Sequence, residues 1–344
     1  MPSAFPSLLD RVAMLERMLR PTPVVRVADD RLDLFAKLEF LNGLGSLKDR
    51  PALWILKRAI ERGEIGPGTT LVESSSGNFG RALALFAAML DLDFIPVIDP
   101  NTSPLLEASL GAQCARVVKV SEPDDAGGYL KSRLQMVRAL LAEIPGAYWP
   151  NQYGNTDAID AHYRLTAGEI VEALPSVDYV FVAVSTAGTI AGVSRRLKEH
   201  DPRVKIVAVD SEGSVIFGHP PKARRIPGLG SSIRPALLQH ALIDDVVIVP
   251  EAETIGACHE LLERHGLFVG GSSGSCYAAI RRYFAGETTT VRPRVLFLCC
   301  DGGAGYLHHV FDHLGSARGE APASGAGLHA AGASPRRPLA VSGP

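Results

Sequence analysis

The sequence is poor in what several protein classes require. Its 344 residues hold five cysteines at irregular spacing, Cys114, Cys258, Cys276, Cys299 and Cys300. They are too few and too scattered for a disulfide framework or a zinc site. The adjacent Cys299-Cys300 pair ends an apolar run and reads as buried strand rather than as a redox centre. Positive charge is not in excess: 35 Lys and Arg against 37 Asp and Glu give a formal net charge of −2. A nucleic acid or an anionic membrane surface would call for a basic stripe, so neither is expected as a partner. No run approaches the roughly 20 apolar residues that span a bilayer. Asp10, Arg11 and Glu16 interrupt the N-terminal stretch, which lacks the layout of a secretory signal. There is no Gly-Lys-Ser/Thr of a P-loop and no convincing Gly-x-Gly-x-x-Gly for a dinucleotide. His309 and His313 have the i, i+4 spacing of a helical metal pair, with His308 beside them. No metalloprotease carboxylate motif accompanies them, so they read as residues of the last helix and no metal site is expected. What remains is a soluble, cytoplasmic chain.

What is present is an alternation. Apolar runs at 70–72, 94–98, 115–120, 179–184, 205–209, 246–249 and 295–299 read as short buried strands, with a further strand over 34–40. Helical patterns at 51–62, 81–90, 130–143, 161–173, 190–200, 255–264 and 275–283 lie among them. This predicts an α/β fold of two domains, each a mostly parallel twisted sheet flanked by helices. The chain is long enough for both, with 46% hydrophobic residues. We place a smaller N-terminal domain at 1–149 and a second domain at 150–315, with the segment 10–35 packing on the second. Residues 316–344 are rich in Gly, Ala, Ser and Pro and are expected to be disordered.

Three loops, each at the start of a predicted helix, concentrate chemistry. In Gly45-Ser46-Leu47-Lys48-Asp49-Arg50 a lysine stands at a strand–helix junction that Ser46 would cap. Such a junction faces the crevice where α/β proteins bind ligands. Glu73-Ser74-Ser75-Ser76-Gly77-Asn78-Phe79-Gly80 gathers hydroxyl and N–H donors around one anion, such as a substrate carboxylate. One serine would suffice as an N-cap, and this loop has three. Ser185-Thr186-Ala187-Gly188-Thr189 offers small residues, hydroxyls and a helix N-terminus, which suit a phosphate. A fourth segment, Gly270-Gly271-Ser272-Ser273-Gly274-Ser275, also leads into a helix and alone reads as a turn capped by Ser275. An amine, a polar elbow and a phosphate loop together fit a carbonyl cofactor that bears a phosphate.

In order and separation these motifs resemble those of the fold type II pyridoxal-phosphate enzymes of the cysteine synthase and cystathionine β-synthase family. The resemblance runs from about residue 19 to 315 and includes Asn151-Gln152-Tyr153-Gly154-Asn155, His162-Tyr163 and Thr166. It implies pyridoxal 5′-phosphate as cofactor, with Lys48 as the amine that carries it as an imine and later acts as base. It implies Asn78 at the pyridoxal 3′-oxygen, Ser185, Thr186, Ala187, Gly188 and Thr189 at the phosphate, and Ser272 at the pyridine nitrogen. A hydroxyl at that nitrogen would leave it largely unprotonated and favour loss of a β-leaving group followed by addition of a nucleophile. Ser74, Ser75, Ser76, Gly77, Asn78 and Phe79 are then the substrate loop.

The segment Ile226-Pro227-Gly228-Leu229-Gly230-Ser231-Ser232 is similar to that of synthases in 2,3-diaminopropionate pathways, which serve siderophores and peptide antibiotics. Those enzymes join O-phospho-L-serine to L-glutamate, giving N-(2-amino-2-carboxyethyl)-L-glutamate. A phosphorylated donor and a dicarboxylic nucleophile would use further polar groups at the site, for which Arg133, Tyr153 and Arg225 are the candidates. A cysteine synthase using O-acetyl- or O-phosphoserine is the alternative. The partners expected are small amino acids, and the family habit implies a homodimer.

Overall fold

The computed structural model describes residues 6–124, 128–286 and 291–312. His313 and the tail 316–344, about which an expectation was stated, lie outside the described residues. In chain order the elements are α1 (Leu8–Glu16), β1 (Val24–Val27), β2 (Asp33–Lys37), α2 (Asp49–Glu61), β3 (Thr70–Ser74), α3 (Asn78–Leu90), β4 (Asp93–Ile98), α4 (Pro104–Gln113), β5 (Val118–Lys119) and α5 (Leu130–Glu143). There follow α6 (Asp157–Ala161), a π-helical turn (His162–Thr166), α7 (Ala167–Ala173), β6 (Tyr179–Ala183), α8 (Gly188–His200), β7 (Lys205–Ser211), β8 (Asp245–Val249), α9 (Glu251–His265), α10 (Gly271–Tyr283) and β9 (Arg294–Leu298).

Two sheets result. The larger runs β1-β2-β9-β6-β7-β8, parallel throughout except for the antiparallel edge pair β1–β2. The smaller is parallel, in the order β3-β4-β5. Parallel strands covered on both faces need apolar side chains on both, and β6 (Tyr-Val-Phe-Val-Ala) supplies them. Val180 and Val182 belong to a large cluster on one face together with Ile190 and Val193 of α8, which packs on β6. Phe181 points the opposite way, into a second cluster with Leu261 of α9 and Ile280 of α10. The outer face of the smaller sheet is closed by α5, whose Val137 and Leu140 cover Val72 and Val97. Residues 24–37 and 179–298 contribute to the larger sheet and 70–119 to the smaller, so the chain visits the larger sheet twice. All described residues but Asp312 belong to a single unit, 1–311.

Four details differ from the sequence reading. The strand expected over 34–40 stops at Lys37, because Lys37 and Glu39 turn into a buried ion cluster. Ser46 is not the N-cap of α2: the cap position is Lys48, and the Ser46 hydroxyl accepts the Lys48 N–H at 3.2 Å. The helix expected over 161–173 is broken by the π-turn. The helix after Gly270 starts at Gly271, which puts Ser275 inside it rather than at its cap.

Candidate active site

The loops that leave the carboxyl ends of β2, β3, β6 and β9 converge on one cavity, as expected where strands of an open α/β sheet end. Lys48, Ser75, Ser76, Gly77, Asn78, Phe79, Arg133, Tyr153, Ser185, Thr186, Ala187, Thr189 and Ser272 all line it. Three of the residues singled out from sequence do not. Ser74 is fully buried below the loop, Gly188 is buried at the start of α8, and Arg225 is exposed.

Lys48 opens α2 with its amine 3.2 Å from Thr186 Oγ1. Lys48 is half-buried on the cavity wall, and desolvation there lowers the pKa of its amine, with Cys300 and Glu73 opposing. A lysine that sheds its proton more easily is a better nucleophile and base at neutral pH. Its place is fixed by the residues that follow. Asp49 accepts the Leu44 N–H at 2.7 Å, closing the loop that leads into α2. The Arg50 guanidinium forks onto two carboxylates: Nε to Glu39 at 2.6 Å and Nη1 to Glu169 at 2.6 Å. Lys37 bonds Glu169 at 2.6 Å from the other side, and Thr22 donates to Glu39 at 2.7 Å. Two cations and two carboxylates thus neutralise one another beneath the lysine. Lys37, Glu39 and Arg50 have no exposed side-chain surface.

The β3–α3 loop is more than a capped helix start. Its cap position is Gly77, which has no side chain to spend on the first turn of α3. Ser75 Oγ accepts the Gly80 N–H at 2.8 Å, which tightens the loop from within. Ser76 receives Arg133 Nη1 at 3.1 Å, and Arg133 Nε lies 3.1 Å from Asp99. Asn78 donates to Asp301 at 2.7 Å, on the same carboxylate oxygen that takes the Tyr306 hydroxyl at 2.7 Å. Below the loop Glu73 collects N–H donors from Ser74 at 2.8 Å, Trp149 at 3.2 Å and Gln152 at 3.3 Å. Burial nevertheless raises its pKa to about 7, with those bonds opposing. Gln152 returns a bond to the Ser74 carbonyl at 3.0 Å, which ties the segment after Asn151 to the loop.

Across the cavity, Ser185 donates to the Gly230 carbonyl at 3.1 Å. Ala187 sits at φ 68°, in the left-handed region that costs an alanine energy, and it caps α8 with no side-chain bond. The N–H groups of the first turn of α8 therefore have no side-chain cap, at the positive end of the helix dipole and next to Thr186 and Thr189. Ser272, in the first turn of α10, lines the same cavity beside Cys300.

Tyr153 stands with Arg133 on one side. Burial pushes its phenol up, with Arg133 and Arg224 opposing and Glu73 and Asp99 adding. The arginine that turns inward from the 222–234 segment is therefore Arg224, partly buried and bonded to the Leu229 carbonyl at 3.0 Å. Arg225 faces out, with its backbone N–H on Glu251. Further lining groups were not picked out from sequence: Ser46, Leu47, Gln152, Ala183, Gly228, Cys300 and Asp301. Cys300 and Asp301 follow the end of β9, so the rule that strand ends form the site would have found them. The pair Cys299-Cys300 lies just past the strand rather than in it, and only Cys299 is fully buried.

The residues fit one kind of ligand well. An easily deprotonated amine, uncapped helix N–H groups flanked by hydroxyls, and a serine hydroxyl opposite suit a ring that carries both an aldehyde and a phosphate.

Comparison with known proteins agrees. The family described as "Pyridoxal-phosphate dependent enzyme" matches residues 15–301. The N-(2-amino-2-carboxyethyl)-L-glutamate synthase of Ralstonia nicotianae is 43% identical over 315 residues, 90% of this chain and 93% of that protein. The protein of the same name in Cupriavidus metallidurans is 42% identical over 288 residues, 83% and 84% respectively. Among solved structures, the O-acetylserine dependent cystathionine beta-synthase of Helicobacter pylori superposes with TM-score 0.78 at 29% identity, covering 85% of this chain and 96% of that one. An O-ureido-L-serine synthase superposes with TM-score 0.79 at 28% identity, covering 90% and 95%.

Proposed function

We propose a reaction for this chain from one premise: it belongs to the pyridoxal-phosphate dependent enzyme family. It is a β-replacement synthase that joins O-phospho-L-serine to L-glutamate, releasing phosphate and N-(2-amino-2-carboxyethyl)-L-glutamate. The observation that carries this reading is the 42–43% identity, over most of the chain, to two synthases of that name. The product belongs to 2,3-diaminopropionate biosynthesis, which supplies siderophores and peptide natural products.

When bound, the cofactor supplies an aldehyde for amines to condense with and a conjugated ring that withdraws electrons from the substrate α-carbon. The chain's own residues do the rest. Lys48 Nζ would hold the cofactor's aldehyde and would serve as the base for the proton on the substrate α-carbon. Asn78 would meet the ring's 3′-oxygen, and Ser272 would offer the ring nitrogen a hydroxyl. Ser185, Thr186, Ala187, Gly188 and Thr189 receive the cofactor phosphate, Gly188 through its backbone at the start of α8. The substrate α-carboxylate meets the loop of Ser75, Ser76, Gly77, Asn78 and Phe79, with Ser74 supporting it from below. Arg133 and Tyr153 hold the distal anion of donor or nucleophile, since they reach the cavity beside Ser76. Arg224 replaces Arg225 as the cation of the neighbouring loop, because only Arg224 turns inward.

Five free cysteines among the described residues suit a reducing cytoplasm. A homodimer is the assembly we assign, as the commonest closed symmetry. No helix among the described residues is long and apolar enough to cross a membrane. Incubating purified enzyme with O-phospho-L-serine and either L-glutamate or sulfide, then weighing the product, tests the reading. Turnover with glutamate supports it. Turnover with sulfide alone makes the protein a cysteine synthase.

A further inference from the structure

A line of three buried side chains runs from the π-turn to the cavity, and the proposed chemistry uses only its last member, Thr189. His162 is 1% exposed and sits between two hydroxyls: Nδ1 lies 3.0 Å from Thr166 Oγ1 and Nε2 lies 3.2 Å from Thr189 Oγ1. Thr166 is fully buried, and Thr189 lines the cavity in the first turn of α8. The His162–Thr166 stretch is π-helical, a rare local geometry that concentrates at functional sites. Helix α8 approaches it closely because residue 192 is glycine. A Cβ there would meet the Ile159 carbonyl at 2.5 Å and His162 Cβ at 2.7 Å.

We propose that His162 is a positioning residue that aims the Thr189 hydroxyl proton at the cofactor phosphate. The proposal rests on the reading above that residues 185–189 receive that phosphate. A threonine hydroxyl has one proton and two lone pairs, whereas a phosphate dianion only accepts. Were Thr189 to give its proton to His162, it would turn lone pairs toward the anion. With the ring proton on Nε2, His162 donates to Thr189 Oγ1 and leaves the Thr189 O–H free for the phosphate. Nδ1 must then accept, and the Thr166 hydroxyl stands at hydrogen-bond distance to donate. This assignment pairs both ring nitrogens and follows from the bonding pattern. The surroundings keep the ring neutral: burial foremost, then Lys48 and Arg50, hold His162 well below its ordinary pKa.

The test reads the phosphorus NMR resonance of bound pyridoxal phosphate and the equilibrium affinity for it, in the full-length protein. His162→Leu is expected to move the resonance and weaken binding about tenfold, the worth of one net hydrogen bond. His162→Gln, whose amide N–H can stand in for Nε2–H, recovers most of both. Thr166→Val keeps the ring but removes the donor that fixes its tautomer, so the resonance moves in the same direction. An unmoved resonance in His162→Leu or Thr166→Val overturns the proposal, as does a Gln variant no better than Leu. Should His162→Leu fail to fold, the nearly isosteric Thr166→Val decides. Thr189→Val separates the two levels. No change there defeats the phosphate-loop reading itself, whereas a change there with none in the other variants defeats the relay alone.

Discussion

Arg50→Met removes the guanidinium that bridges Glu39 and Glu169 two residues after Lys48. The loss leaves the buried Glu39 and the mostly buried Glu169 facing a single buried cation, Lys37, which is 2.6 Å from Glu169 but 3.9 Å from Glu39. Glu39 keeps neutral donors, Thr22 at 2.7 Å and Asn42 at 2.9 Å, so part of its charge stays solvated by the protein. Breaking a buried pair by removing one partner costs about 3–5 kcal/mol, because the remaining charge is stranded away from water. A domain is stable by only about 5–15 kcal/mol, so the variant should unfold at clearly lower urea concentration. The exposed pair Arg58–Glu61, with side chains 42% and 29% accessible, sets the contrast. Its removal should cost no more than about 0.5 kcal/mol. The double variant Arg50→Met, Glu169→Gln restores local neutrality and should lose less than the sum of the single losses. Urea unfolding is to be measured at fixed cofactor concentration, since bound cofactor adds stability of its own. An Arg50→Met loss below about 1 kcal/mol would refute the view that this cluster holds the start of α2 in place.

Other outcomes follow from the same geometry. Glu73 has its pKa raised to about 7 from the ordinary 4.5, so its protonated form is favoured in the folded state. Its contribution is fully present below pH 4.5 and is lost as pH rises through about 7, on the order of 3 kcal/mol in all. Glu73→Gln should abolish that slope in stability-against-pH curves, and an unchanged slope would assign it to another group. Glu169 is shifted the other way. Burial acts to raise its pKa, but its bonds to Arg50 and Lys37 leave it lowered, so its contribution is present above the ordinary carboxylate range and lost as pH falls below it. Glu169→Gln should flatten the acid arm of the same curve. Gly192→Ala forces a methyl into backbone and His162 contacts of 2.5–2.7 Å, and thermal unfolding should show a loss of about 1–3 kcal/mol.

The sequence made the framework and the chemistry-bearing loops legible because both depend on local signals. Apolar strands buried on two faces, such as Val-Phe-Val in β6, are readable as runs, and loops at strand ends carry the small and hydroxyl residues that ligands need. Elements without such signals were not anticipated. Helix α4 has a single fully buried side chain, Leu110, and leaves Leu105 82% exposed, so its pattern has no clear apolar face. The π-turn has no local signal in the sequence, and its close packing against α8 needs a glycine, Gly192, far away in sequence. Nothing in Arg224-Arg225 tells which of two adjacent arginines turns inward; that is decided by Arg224 finding the Leu229 carbonyl while the Arg225 N–H meets Glu251. Glu73 was likewise hidden, since a carboxylate at the head of a polar run looks solvated until its donors are assembled from distant segments.

The claim on which the chemistry depends is that the amine at position 48 is the one that holds the cofactor. Pyridoxal phosphate is added to the purified protein, the adduct is reduced with borohydride, and the digested peptides are mapped by mass. The account predicts a single modified lysine, Lys48, and no incorporation or visible absorption band in Lys48→Ala. Modification of another lysine, or a band that survives in Lys48→Ala, would contradict it.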